Sequence, residues 1–136
     1  MLDITRLIRK LPRKHREPSG NCGVFANAMC RFLEEKGYAC ELILIGDSEE
    51  GDYEEDNLYH VCFSVNQVCY DGSGKIDNLE TFAKEFSETH YDDAKPFIHH
   101  RPSNEKNQTH VRQNTDYSVY EETIFNKIVM SYSDIE

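Results

Sequence analysis

A glycine-bracketed cysteine opens the stretch from which we infer the fold, Gly20-Asn21-Cys22-Gly23-Val24-Phe25-Ala26-Asn27-Ala28. Apolar residues recur at helical spacing after Cys22, which predicts an amphipathic helix that ends at about Lys36. The first turn of a helix has unpaired N–H groups and a partial positive charge, and both lower the pKa of a thiol placed there. This position suits a nucleophile. A small buried hydrophobic residue explains an isolated cysteine equally well.

Length and composition indicate a soluble chain that forms one domain. The 136 residues are enough for one buried core, and no apolar run approaches the roughly 20 residues that a membrane span needs. We expect no membrane association, and the charged N-terminal residues do not resemble a secretory signal. The five cysteines are odd in number and include no C-x-x-C pair, which argues against a disulfide framework or a zinc knuckle. We therefore expect a cytoplasmic protein with no metal and no cofactor.

Charge is distributed unevenly along the chain, although the net charge is −10. Residues 1–16 contain six Lys or Arg and one Asp, a formal charge of +5, which leaves −15 on the other 120 residues. So acidic a body argues against nucleic acid as the main partner. For the basic segment we favour a solvated helix face that complements the body. A contact for an anionic partner and a transit-like segment are the alternatives.

Hydrophobic periodicity and capping residues predict an α+β order of elements. The elements are a helix capped by Asp3 and ended by Pro12, a linker over 12–21, the Cys22 helix, strands over 39–45, 58–65 and 68–71, a helix opened by an Asp77-x-x-Glu80 capping box, short strands near 97–99 and 109–112, and a helix over 116–130. We expect a single domain over 1–136. It divides into a basic helix and linker (1–17), a core (18–90) and a C-terminal extension with the last helix (91–136).

An acidic segment separates the first two predicted strands. Asp47–Asn57 contains seven carboxylates in eleven residues. Calcium is conceivable, but the carboxylates do not alternate as they do in a calcium-binding loop. We expect a solvated loop, and a negative potential there would favour basic substrates.

The hairpin formed by the second and third strands brings His60 and Asp71 to one face. With a four-residue loop, Ser64–Gln67, the two residues are directly opposite, and with a two-residue loop, Asn66-Gln67, they are diagonal neighbours. Either register allows a hydrogen bond, because facing pairs have Cβ atoms roughly 5 Å apart. A carboxylate bound to one imidazole nitrogen raises the basicity of the other. That nitrogen can accept the thiol proton of Cys22 if the helix start packs against the strand.

Each of these residues also has a purely structural explanation. A lone histidine on a half-buried strand is often a satisfied core residue, and an aspartate before Gly72 is often a turn former. Cys62 and Cys69 could face each other on the hairpin, where a reduced pair is the simpler interpretation. Only the joint pattern of Cys22, His60 and Asp71 favours a catalytic role for these residues.

Three motifs together carry a family resemblance: Gly20-x-Cys22-Gly23-x-x-Ala26, Tyr59-His60-Val61-x-Phe63-x-Val65 and Tyr70-Asp71-x-x-Gly74. They resemble the papain-like cysteine-enzyme superfamily, and the order Cys-His-Asp is most similar to its compact transglutaminase-like branch. The resemblance implies a helix carrying the nucleophile, packed on a small antiparallel sheet with flanking helices. It makes Cys22 the nucleophile, His60 the general base and acid, and Asp71 the orienting carboxylate. The residues implied to bind substrate are Asn21, Gly23 and Tyr59.

The activity implied by the resemblance is amide hydrolysis through a thioester, by a peptidase, amidase or deamidase on a peptide or protein substrate. Two alternatives are an inactive papain-like binding module and acyl transfer of the transglutaminase or arylamine acetyltransferase type. Papain has a glutamine shortly before its cysteine, whereas residues 13–17 here contain none. The N–H of Cys22 therefore supplies one expected oxyanion donor, and a second is not assigned.

Overall fold

The computed structural model describes residues 2–16, 22–54, 57–90, 95–102 and 116–135. Asn21, part of the acidic segment and the strand predicted near 109–112 lie outside these ranges. The helices are α1 (Ile4–Lys10), α2 (Arg13–Arg16), α3 (Cys22–Glu35), α4 (Leu79–His90) and α5 (Asp116–Ile135), and the strands are β1 (Cys40–Ser48), β2 (Leu58–Val65), β3 (Val68–Asp71), β4 (Gly74–Ile76) and β5 (Lys95–Pro102).

The five strands form one sheet in the order β4-β3-β2-β1-β5, and every neighbouring pair is antiparallel. Helices α1, α3 and α5 pack on one face of this sheet, and α4 packs on the other. The mixed α+β class predicted from the sequence is confirmed. No helix of the described residues is long and apolar enough to cross a membrane.

Helix α3 is buried more completely than the predicted amphipathic pattern requires. Every residue from Gly23 to Cys30 is buried, because the sheet covers one side of the helix and α5 covers another. Phe25 packs edge-on against Phe63 of β2, with ring centroids 6.4 Å apart. A helix that is apolar on most sides belongs in the interior of a domain. The position of Cys22 at its start is therefore fixed by the core.

The β2–β3 hairpin uses the shorter of the two predicted loops. Phe63 pairs with Tyr70 and Val65 with Val68, which leaves Asn66 and Gln67 as a two-residue turn with φ of 52° and 68°. Positive φ at both central residues is typical of a type I′ turn, whose twist matches that of the strands. This register makes His60 and Asp71 diagonal neighbours. It also makes Cys62 and Cys69 diagonal rather than facing, and all five cysteines are free thiols.

A β-bulge interrupts the pairing of β1 with β2 next to His60. Ile45 pairs with His60, but Gly46 pairs with Leu58, so the register shifts by one residue and Tyr59 is the extra residue of the bulge. A Cβ on Gly46 would lie 2.0 Å from the carbonyl oxygen of Asn57, so only glycine allows the strands to approach this closely. The bulge breaks the simple alternation predicted for β2.

Other local predictions also differ from the structure: β1 continues to Ser48 and α5 to Ile135, and the short strand β4 was not predicted. Residues 13–16 form the short helix α2 rather than part of a linker. The side chain of Asn78 accepts the Thr81 N–H at 3.0 Å, so Asn78 rather than Asp77 caps α4. The start of the acidic segment, Asp47 and Ser48, is buried in β1 rather than solvated, because β5 pairs with this end of β1. The cap predicted at Asp3 is confirmed by its bond to the Arg6 N–H.

Candidate active site

Cys22 is the first residue of α3 and is half-buried against β2. The backbone N–H of Val61 donates a hydrogen bond to Sγ of Cys22 over 3.3 Å. This N–H is available because β3 pairs with β2 only from Phe63 to Val65. The packing of the helix start against the strand, on which the chemistry inferred from the sequence depended, is therefore present.

His60 and Asp71 are joined by a hydrogen bond from ring to carboxylate. Nε2 of His60 lies 3.1 Å from Oδ2 of Asp71, with the two side chains only 19% and 11% exposed. The other carboxylate oxygen, Oδ1, accepts the N–H of Ser73 at 2.8 Å, which fixes the carboxylate within its own turn. Phe82 of α4 packs edge-on against the imidazole, with centroids 5.5 Å apart. The ring of His60 is thus held on two sides.

The electrostatics of the site favour a charged thiolate–imidazolium pair. Burial alone lowers the pKa of His60, but hydrogen bonds to Asp71 and Cys22 outweigh it and raise the pKa to about 9. Burial alone raises the pKa of Cys22, but the hydrogen bond to His60, its charge, and the N–H groups of Val61 and Gly23 lower it overall. The raised pKa keeps a proton on the imidazole at neutral pH, and the lowered pKa makes the thiolate of Cys22 easier to form than that of an ordinary cysteine.

In three other cysteines the environment raises the pKa of the thiol instead of lowering it. Burial and the Cys69 thiol raise the pKa of Cys62, and burial with Glu41 raises that of Cys69. The hydrogen bond to Cys40, followed by burial, raises the pKa of Cys30 well above its usual value. Cys22 therefore differs from these thiols in its nucleophilic character rather than in exposure alone.

The three residues predicted to bind substrate have different outcomes. Gly23 is buried in the first turn of α3, where its N–H contacts the Cys22 thiol. Tyr59 is the half-buried bulge residue beside His60. Asn21 lies outside the described residues. A contact of any of them with substrate stays a prediction. Among the described residues there is no group of three or more His, Cys, Asp or Glu side chains arranged to hold a metal ion.

One further residue, which sequence reasoning missed, is bound to the turn that follows Asp71. Arg16, the last residue of α2, donates from Nη1 to the carbonyl oxygen of Gly72 at 2.8 Å. Gly72 follows Asp71 directly. A basic run at a helix end predicts only a solvated, cationic face, so no local signal distinguishes Arg16 from its neighbours.

Comparisons with protein-family models, curated proteins and solved structures return no match to this chain. The fold is therefore described by its own topology, a five-stranded antiparallel sheet between α4 and the helices α1, α3 and α5. Any functional assignment depends on the chemistry of Cys22, His60 and Asp71.

Proposed function

We propose that this protein is a cysteine-dependent amide hydrolase with a papain-like core, most similar to the transglutaminase-like branch, and that Cys22, His60 and Asp71 are its catalytic triad. The position of His60 between the other two groups is the observation that carries the proposal. Its Nε2 is bound to Asp71 at 3.1 Å, which leaves Nδ1 as the nitrogen available to the thiol. This is the relationship that nucleophile, base and orienting carboxylate require.

In the first half-reaction the Cys22 thiolate attacks the amide carbonyl carbon and forms a C–S bond. The N–H of Cys22 stabilises the resulting oxyanion. The His60 imidazolium gives its proton to the amide nitrogen, the C–N bond breaks and the amine leaves, so that the acyl group remains on sulfur as a thioester.

In the second half-reaction neutral His60 removes a proton from water as the water oxygen attacks the thioester carbonyl. The tetrahedral intermediate collapses, the C–S bond breaks, and a carboxylic acid and the Cys22 thiolate are released. Asp71 holds the imidazole in one tautomer and stabilises its cation through both steps. An amine in place of water would give acyl transfer from the same thioester, so formation of the thioester is the step to test.

Acylation by p-nitrophenyl acetate tests the proposal without knowledge of the natural substrate. We expect a burst of nitrophenolate equal to the enzyme concentration and an acetyl group on the Cys22 peptide by mass spectrometry. Cys22→Ser should lose the burst, and His60→Ala should slow it strongly because the thiol is no longer ionised by its partner. Cys69→Ser is the matched control and should retain it. Equal acylation of Cys22 and Cys69, or neither acylation of Cys22 nor turnover of the ester, would overturn the hydrolase in favour of an inactive binding module.

A further inference from the structure

Two hydrogen bonds attach neighbouring parts of the chain to opposite ends of the triad. Arg16 donates to the carbonyl of Gly72, beside the carboxylate end at Asp71. Cys22, the next described residue after Arg16, accepts the N–H of Val61 at the nucleophile end. The distance between Sγ of Cys22 and the His60–Asp71 pair therefore depends on both of these hydrogen bonds.

We propose that Arg16 is a positioning residue of the active site, which holds the turn after β3 and so fixes Asp71 against His60. The inference rests on the proposed function. Asp71 and Ser73 are joined across this turn by the bond from the Ser73 N–H to Oδ1, and Gly72 lies between them. Fixing the Gly72 carbonyl therefore limits rotation of the turn that carries the carboxylate.

Arg16 can act as an anchor because α2 is itself held in place. The hydroxyl of Tyr120 in α5 donates to the carbonyl of Lys14 at 2.9 Å. His15 is buried, with only 7% of its surface exposed. The N–H groups of His15 and Arg16 both donate to the carbonyl of Pro12. A guanidinium held on such a support donates a strong, charge-assisted bond and loses little freedom in doing so.

The basic N-terminal segment therefore contains cations of two kinds. Arg9 and Lys10 in α1 are exposed to solvent, as the sequence predicts for the whole segment. Arg16 is partly buried and bound to the turn beside Asp71. Removal of the Arg16 charge should consequently affect the active site, whereas removal of the same charge at Arg9 should not.

The experiment compares Arg16→Gln and Arg16→Lys with Arg9→Gln as the matched control. We expect Arg16→Gln to lower kcat for acylation about 10- to 100-fold, the effect of a misplaced catalytic group, with little change in KM. A weaker hydrogen bond between Asp71 and His60 should also lower the His60 pKa from about 9. NMR titration of the imidazole measures this pKa. Arg16→Lys should recover part of both values, and Arg9→Gln should match the wild type.

The two readouts separate the failure of this inference from the failure of the proposed function. A wild-type protein that forms no thioester overturns the hydrolase, but the His60 titration still decides the role of Arg16. A lower His60 pKa in Arg16→Gln and a partial recovery in Arg16→Lys support positioning. If Arg16→Gln equals Arg9→Gln in that titration, or if Arg16→Gln raises KM and leaves kcat unchanged, Arg16 does not position the triad.

Discussion

The N–H of Val61 and the sulfur of Cys22 are joined by a hydrogen bond although 39 positions separate them in the chain. This bond connects the first turn of α3 to the strand that carries His60. It places the thiol beside the imidazole, and it adds a donor that favours the thiolate. The chemistry of the site thus depends on how a helix packs on a sheet.

Activity should follow a bell-shaped pH profile. The acid limb of kcat/KM reports ionisation of Cys22. Burial raises the pKa of this thiol, but the hydrogen bond to His60 and the charge of His60 help to lower it below its usual value. The alkaline limb should lie near pH 9, because His60 must keep its proton for the leaving amine. Rate measurements with an amide substrate between pH 4 and 10 would check both limbs, roughly the range over which these groups ionise.

The same titration has a consequence for stability. The raised His60 pKa stabilises the fold fully below pH 6.5, its unperturbed value, and this contribution is lost as the pH rises through about 9. Urea unfolding of the wild type and of His60→Gln should therefore converge with rising pH. A difference that does not change from pH 6 to about 9.5 would contradict the assigned pKa.

Asp71→Asn should leave the fold intact and reduce activity, at most by the roughly 10⁴-fold that loss of tautomer control costs a Ser-His-Asp triad. The amide cannot stabilise the His60 cation, so the pKa of His60 should also fall. Turnover and circular dichroism measure the two effects. Asp77→Asn, the same change at an exposed position shortly after β4, is the control. Unchanged turnover in Asp71→Asn would make Asp71 a turn residue only.

Asp47→Asn should stabilise the protein. The carboxylate of Asp47 is fully buried, and within the described part of the chain neither of its oxygens has a hydrogen-bond partner. A buried charge costs more than a buried neutral amide, although the amide would also lack partners, so the change should raise the free energy of unfolding by about 1 kcal/mol. Urea unfolding measures the change, and Asp52→Asn, at an exposed position, should show none. A destabilised Asp47→Asn would show that the charge has a favourable partner.

Neutralising the exposed carboxylates of the acidic segment tests whether they select substrate. Glu49, Glu50 and Glu54 are exposed, and steering by such charges is screened within about 8–10 Å at physiological salt. Their joint change to Gln should lower kcat/KM for a basic substrate at low salt and flatten its salt dependence. A salt slope equal to that of the wild type would leave the segment without a role in recognition.

Features that depend on residues close together in the chain could be predicted from the sequence. The Asp3 cap, the hairpin and the common face of His60 and Asp71 follow from period-2 alternation and turn residues. His60 and Asp71 are only 11 positions apart, so one hairpin register suffices to place them. The errors were also local: the cap of α4 is Asn78, and the bulge at Tyr59 depends on how closely the Asn57 backbone approaches Gly46.

Contacts between distant residues were decided by tertiary structure alone. Arg16 and Gly72 are 56 positions apart, and they meet because α2 is held by α5 beside the end of β3. Asp47 is buried because β5 pairs along its strand. The sequence by itself determined which side chains are chemically reactive. It also determined that His60 and Asp71 lie on one face of the β2–β3 hairpin, since backbone periodicity is a local property. The joining of Cys22 to that pair required the packing of a whole core, because no local pattern specifies which helix end meets which strand.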